Sequence, residues 1–173
     1  MQEGEAEEHI DRDEAGRIRS RYRLADGKLD GELLQYDEEG RMLARLNYRA
    51  GVMHGEAFFY DRGELQLQTH YENGIEEGER VLFAGGQPAM KGHCRRGRLE
   101  GEATWHRPGG SVERVAHYTN GMMDGEALEY DERGRVTQRS TYRADKLDGE
   151  LLVYAPNGKV REKLTFKAGV QQK

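Results

Sequence analysis

Residues 118–142 read YTNGMMDGEALEYDERGRVTQRSTY, and the fold follows from how this stretch is built. Thr119-Asn120-Gly121 makes a tight turn, since Asn and Gly accept positive φ most readily. Gly125-Glu126 opens a strand, Ala127-Leu128-Glu129-Tyr130, and Asp131-Glu132-Arg133-Gly134 is a polar loop. From Arg135 to Tyr142 the residues alternate. Val136, Gln138, Ser140 and Tyr142 fall on one side; Arg135, Thr137, Arg139 and Thr141 fall on the other. Alternation of period two, bounded by Gly-rich turns, is the pattern of a β-hairpin.

The stretch recurs along the whole chain. Gly-Glu pairs stand at Gly31-Glu32, Gly55-Glu56, Gly78-Glu79, Gly101-Glu102, Gly125-Glu126 and Gly149-Glu150, spaced 24, 23, 23, 24 and 24 residues apart. Five residues after each Gly come Tyr36, Tyr60, Phe83, His106, Tyr130 and Tyr154. Seven residues before each come Leu24, Tyr48, Tyr71, Cys94, Tyr118 and Tyr142, and a partial copy starts at Phe166. A fixed period of this length signals a repeat array, in which each unit buries its apolar side by stacking on its neighbours. The expected fold is all-β: an elongated single antiparallel sheet of stacked hairpins, open-ended and twisted, with twelve to fourteen strands and loops near Gly40, Gly63, Gly86, Gly110, Gly134 and Gly158. Two domains of sequence are expected. Residues 1–15 form an acidic lead-in that frays, and residues 16–173 hold six repeats plus a partial C-terminal cap.

Strict alternation puts Leu34/Tyr36, Phe58/Tyr60, Val81/Phe83, Leu128/Tyr130 and Leu152/Tyr154 on the same side as the second-strand apolar row, as one aromatic ladder. The opposite side then carries Gln35, Phe59, Leu82, Trp105, Glu129 and Val153, four residues after each Gly. Phe59, Leu82 and Trp105 make an apolar stripe in the middle repeats. Arg95, Arg96, Arg98 and Arg107 form the one local basic patch beside it. An apolar centre rimmed by charge marks a binding surface, so these seven residues are the candidate partner-binding residues.

Composition narrows the function classes. Charged residues are 34% and hydrophobic residues 35%, with a mean hydropathy of -0.98, close to a disordered profile until the in-phase placement of apolar residues is noticed. The net charge of -5 gives no bulk attraction to nucleic acid or anionic lipid. One Cys excludes an internal disulfide framework, and no apolar run reaches membrane-spanning length. The chain as written reads as cytoplasmic, or as periplasmic if a leader has been removed.

The Glu column invites a catalytic or metal reading, but neighbouring hairpins are ~10 Å apart, too far for two carboxylates to share a metal or one scissile bond. Each Glu is expected instead to accept amides of its own turn. His93, Cys94, His106 and His117 gather in the fourth repeat without the spacing of a zinc site. The chain reads as a non-enzyme without metal or cofactor.

The phrase Tyr-x-x-Gly-x-x-x-Gly-Glu, followed by an aromatic, a loop Gly and an alternating strand, resembles the bacterial variant of the MORN repeat over about residues 16–173. Proteins carrying it are often of the YwqK antitoxin type. The fourth copy departs from the pattern, with Cys94 and His106 in aromatic slots and Pro88 and Gly92 in its second strand. The resemblance implies an antitoxin or immunity protein that binds a cognate toxin or secreted effector and occludes it. The alternative is a MORN-type scaffold or adaptor that oligomerises through its sheet edges or lies against a membrane.

Overall fold

The computed structural model describes residues 7–173, in two compact units, Met1–Gly86 and Gln87–Lys173. It is all-β: eighteen strands in open antiparallel sheet, with no helix among the described residues. The first unit runs β1 (Glu7–Arg12), β2 (Ile18–Ala25), β3 (Lys28–Leu29), β4 (Gly31–Tyr36), β5 (Met42–Arg49), β6 (Val52–Asp61), β7 (Glu64–Glu72), β8 (Ile75–Glu76) and β9 (Gly78–Ala84). The second runs β10 (Gln87–Arg95), β11 (Arg98–Leu99), β12 (Gly101–His106), β13 (Val112–Thr119), β14 (Met122–Tyr130), β15 (Val136–Arg143), β16 (Lys146–Tyr154), β17 (Val160–Lys167) and β18 (Val170–Gln171). Residues 7–12, part of the expected lead-in, form β1 and pair with β2; residues 1–6 of that lead-in lie outside the described residues.

The strand number exceeds the expected twelve to fourteen because the motif Gly interrupts the ladder. Leu46 faces Ala57 while Tyr48 faces Met53, so β6 carries two more residues than β5 across this step. Gly55 sits in the bulge at φ 107, a conformation that side chains rarely adopt, and an added Cβ would lie 3.3 Å from Asn47 Cβ. In three repeats the interruption divides the strand outright, giving β3/β4, β8/β9 and β11/β12.

The two repeat lengths have a local cause. The 24-residue copies close their hairpins with loops such as Asp37–Arg41 and Asp131–Arg135, in which the first carboxylate organises the backbone. Asp131 Oδ1 accepts the amides of Arg133 and Arg135, both at 2.9 Å, and Oδ2 accepts Arg135 Nε at 2.8 Å. The copies one residue shorter replace this loop with two residues at positive φ, Arg62-Gly63 (49 and 82) and Gly85-Gly86 (55 and 73). The missing residue is thus absorbed in the turn, and the strands keep their phase.

Burial is concentrated on one face. Its middle row is Leu33–Leu46–Ala57–Thr69 in the first unit and Ala103–Ala116–Ala127–Ser140–Leu151–Leu164 in the second. Ala57, Ala103 and Ala116 are each 1% exposed. Small side chains in a sheet become this buried only if taller neighbours lean over them. In the first unit Tyr22, Leu29, Tyr48, Met53, Phe59 and Tyr71 pack on the cluster of Leu33, Ala44, Leu46 and Ala57. The row is small at Ala57 and Thr69 in the first unit and from Ala103 to Ser140 in the second, where large side chains would push the flanks apart, and leucines fill it at Leu33, Leu46, Leu151 and Leu164. Gly92, beside Met90 and Leu99, has no room for a Cβ, which would meet Leu99 Cδ2 at 3.0 Å.

Candidate functional site

Two of the seven candidate residues, Phe59 and Leu82, lie in the first unit and five in the second, and within the second Trp105 and Arg107 line one hollow while Arg95, Arg96 and Arg98 line another. In the first unit Phe59 lies in the row Ala44–Phe59–Leu67–Leu82. Phe59 packs on the buried cluster with Tyr48 and Tyr71, so it shares their face and does not oppose it. Leu82, at 37% exposure, is the most open of the three stripe residues. The expected placement on the face opposite the aromatic ladder is therefore corrected. A bulge between Phe59 and Tyr60, where Phe59 faces Leu67 but Tyr60 faces Leu65, breaks the parity that strict alternation assumes.

In the second unit Trp105 lies in the row Met90–Trp105–Arg114–Glu129. Its ring is 6.1 Å from that of Tyr118, tilted by 41°. The Arg114 guanidinium carbon stands 5.4 Å from the Trp105 centroid, and Nη2 donates to Met123 Sδ at 3.0 Å. Trp105 is half-buried in this stack, held from two sides and open on the third. Burial pushes the Tyr118 hydroxyl pKa up, against the pull of Arg114. Arg107 lines the same hollow with Trp105, Arg114 and Glu129. It donates through Nη1 to the Val112 carbonyl at 2.9 Å and through Nη2 to the Tyr130 carbonyl. Arg107 is thus a strut of the hairpin as well as a wall of the hollow. Arg114 went unnoticed in the sequence because an Arg in a polar strand position reads as solvated; the signal was its register opposite Trp105.

Arg95, Arg96 and Arg98 belong elsewhere. Cys94, facing Leu99, is fully buried, so the next pair, Arg95 facing Arg98, projects from the other side of the sheet. Arg96-Gly97 is the turn between them, with φ of 52 and 75. These residues surround a second hollow with Glu100 and Asn120, separate from the one at Trp105.

Among the described residues the motif Glu side chains are not seen to accept turn amides. Three make cross-strand ion pairs: Glu32 with Arg45 at 2.6 Å, Glu126 with Arg139, and Glu150 with Lys163. The amide acceptor is the acidic residue two places earlier, just before the motif Gly. Asp30 takes the Ala50 amide at 2.9 Å, Glu100 the Asn120 amide at 2.8 Å and Asp124 the Ala144 amide at 3.2 Å, each in the turn of the following repeat. Among the described residues no cluster of three or more His, Cys, Asp and Glu could hold a metal ion. Cys94 is buried, His93 is exposed, and His117 turns to the Glu126 carbonyl at 3.2 Å.

The MORN repeat variant family matches residues 147–168, which span most of β16 and all of β17. No curated protein matches the chain.

Proposed function

We propose that this chain, which carries a MORN repeat, is a binding protein that neutralises a cognate bacterial toxin or secreted effector by covering it, without catalytic turnover of its own. The observation that carries the reading is the Trp105 stack. A Trp fixed between Arg114 and Tyr118, with one side open and a hollow of about 400 Å³ beside it, offers a large contact area that loses little freedom on binding. The rigid ladder beneath it supports the same economy. The test is co-expression with each candidate effector found encoded beside the gene. Rescue of growth and a stable complex on size exclusion are expected, and Trp105→Ala should weaken binding by about 2 kcal/mol or more. Melting temperature measured on the same sample separates lost contact from lost fold. Absence of both rescue and complex would overturn the reading.

A MORN-type scaffold is the second reading. It is favoured by Val52 and Ile75, 45% and 52% exposed at successive turns of the first unit, where Val52 reaches over Gly74. Self-association through such residues would show as a molecular mass that rises with concentration in sedimentation.

A further inference from the structure

Four strand cations on the polar face are answered by carboxylates: Arg21 by Glu8, Arg45 by Glu32, Arg139 by Glu126, Lys163 by Glu150. The hairpin of β10 and β11 departs from this pattern. Lys91, His93 and Arg95 alternate along β10 on one face, Arg98 faces Arg95, and all four are exposed. None of the four has an ion pair among the described residues. Of the nearby acids, Glu100 borders the same hollow but makes no ion pair with these cations, and both it and Glu102 have other partners. Glu100 holds the Asn120 amide, and Glu102 lies 4.0 Å from His117 Nε2.

The same hairpin is built at a cost to stability. Like charges directly opposite across a strand pair repel. Arg143 and Lys146 face each other at the corresponding turn of a later repeat, but there Asp148 lies 3.8 Å from Arg143 Nε, whereas Arg95 and Arg98 have no such partner among the described residues. A like-charged pair left unanswered points to a use other than folding.

We propose that this face docks an acidic extended segment of the protein partner. This deepens the binding reading above and rests on it. Alternate residues of a strand are ~7 Å apart, so Lys91, His93 and Arg95 match the carboxylates of an extended peptide in which every second residue is acidic. Arg98 adds a fork beside Arg95, and guanidinium–carboxylate bonds are strong and directional. The chain's own charge of -5 disfavours a flat anionic membrane as the occupant.

The test uses the full chain and two short peptides of equal composition, one alternating Glu-Thr and one with the Glu and Thr residues in separate blocks, followed by backbone amide shifts in NMR. The alternating peptide should bind more tightly, shift the amides of β10 and β11, and lose affinity in high salt. Arg95→Ala and Arg98→Ala should each weaken it by about tenfold or more, with a melting temperature unchanged or higher because the repelling pair is gone. Equal binding of both peptides, shifts confined to other strands, unchanged affinity in the variants, or tighter binding to phosphatidylserine vesicles than to peptide would each overturn the inference. A lower melting temperature in both variants would also do so, since the arginines would then serve the fold. Failed peptide binding with toxin capture intact removes this face alone and leaves the proposed function standing. Failed toxin capture with peptide binding intact removes the proposed function instead.

Discussion

Ala144 holds φ 46 and Asp145 holds φ 64, in a turn whose counterparts include Asn73-Gly74 and Asn120-Gly121. A Cβ in this left-handed region crowds the backbone, and Asn tolerates it better than Ala does. Ala144→Asn should therefore stabilise the protein by about 0.5–1 kcal/mol, read as a rise of a few degrees in a thermal melt. Glu126 teaches the reverse. Its place in the repeated motif suggests a structural necessity, yet its carboxylate is 38% exposed and paired with a half-exposed Arg139. Glu126→Gln should cost less than about 1 kcal/mol, and still less in high salt. A larger loss in chemical denaturation would show that the pair is more than a surface contact.

In the loops, Asp131 is held below the usual carboxylate range by the Arg135 amide, then by the Arg135 guanidinium, with the Arg133 amide adding to them. At Asp37 desolvation is the largest influence and pushes upward, but the guanidinium and amide of Arg41 together outweigh it. A lowered folded pKa means that the unfolded chain takes up protons first. The loop's contribution to stability is complete above the unfolded value of roughly 4 and fades as pH falls through the folded value. Asp131→Asn should flatten part of the acid side of the stability profile while changing little of its shape near neutrality. An unchanged acid limb would remove Asp131 from the titrating groups that matter. The loops and strands themselves were legible in the sequence, because Gly40, Gly134 and the alternation of Val136 to Tyr142 each have a direct local meaning. The faces were not. The step between Phe59 and Tyr60, repeated between Gln35 and Tyr36 and between Trp105 and His106, changes which residues look the same way. Bulges carry no residue signature as plain as an Asn-Gly turn. In the second unit the candidate residues therefore divide into a Trp105 corner with Arg107 and an arginine hairpin on the other side, and in the first unit Phe59 and Leu82 share a row.

Across the molecule, each unit is a meander in which a strand bonds mainly to its sequence neighbours. Damage should then stay local. Gly149 stands at φ 131, and an added Cβ would lie 3.2 Å from Thr141 Cβ, so Gly149→Ala should destabilise by about 1–3 kcal/mol. Hydrogen exchange should quicken first in β15, β16 and β17 and later in β12 and β13. Uniform acceleration through the second unit would show a single cooperative block. The carboxylates that reach from one repeat into the next turn have a longer consequence. Asp30 with Ala50, Glu100 with Asn120 and Asp124 with Ala144 tie positions twenty residues apart. As lineages of such chains diverge, a change in the first position alters the demands on the second. Inherited substitutions should thus travel in pairs at that interval, which is shorter than the repeat, and leave in the descendants a second rhythm that no single sequence displays.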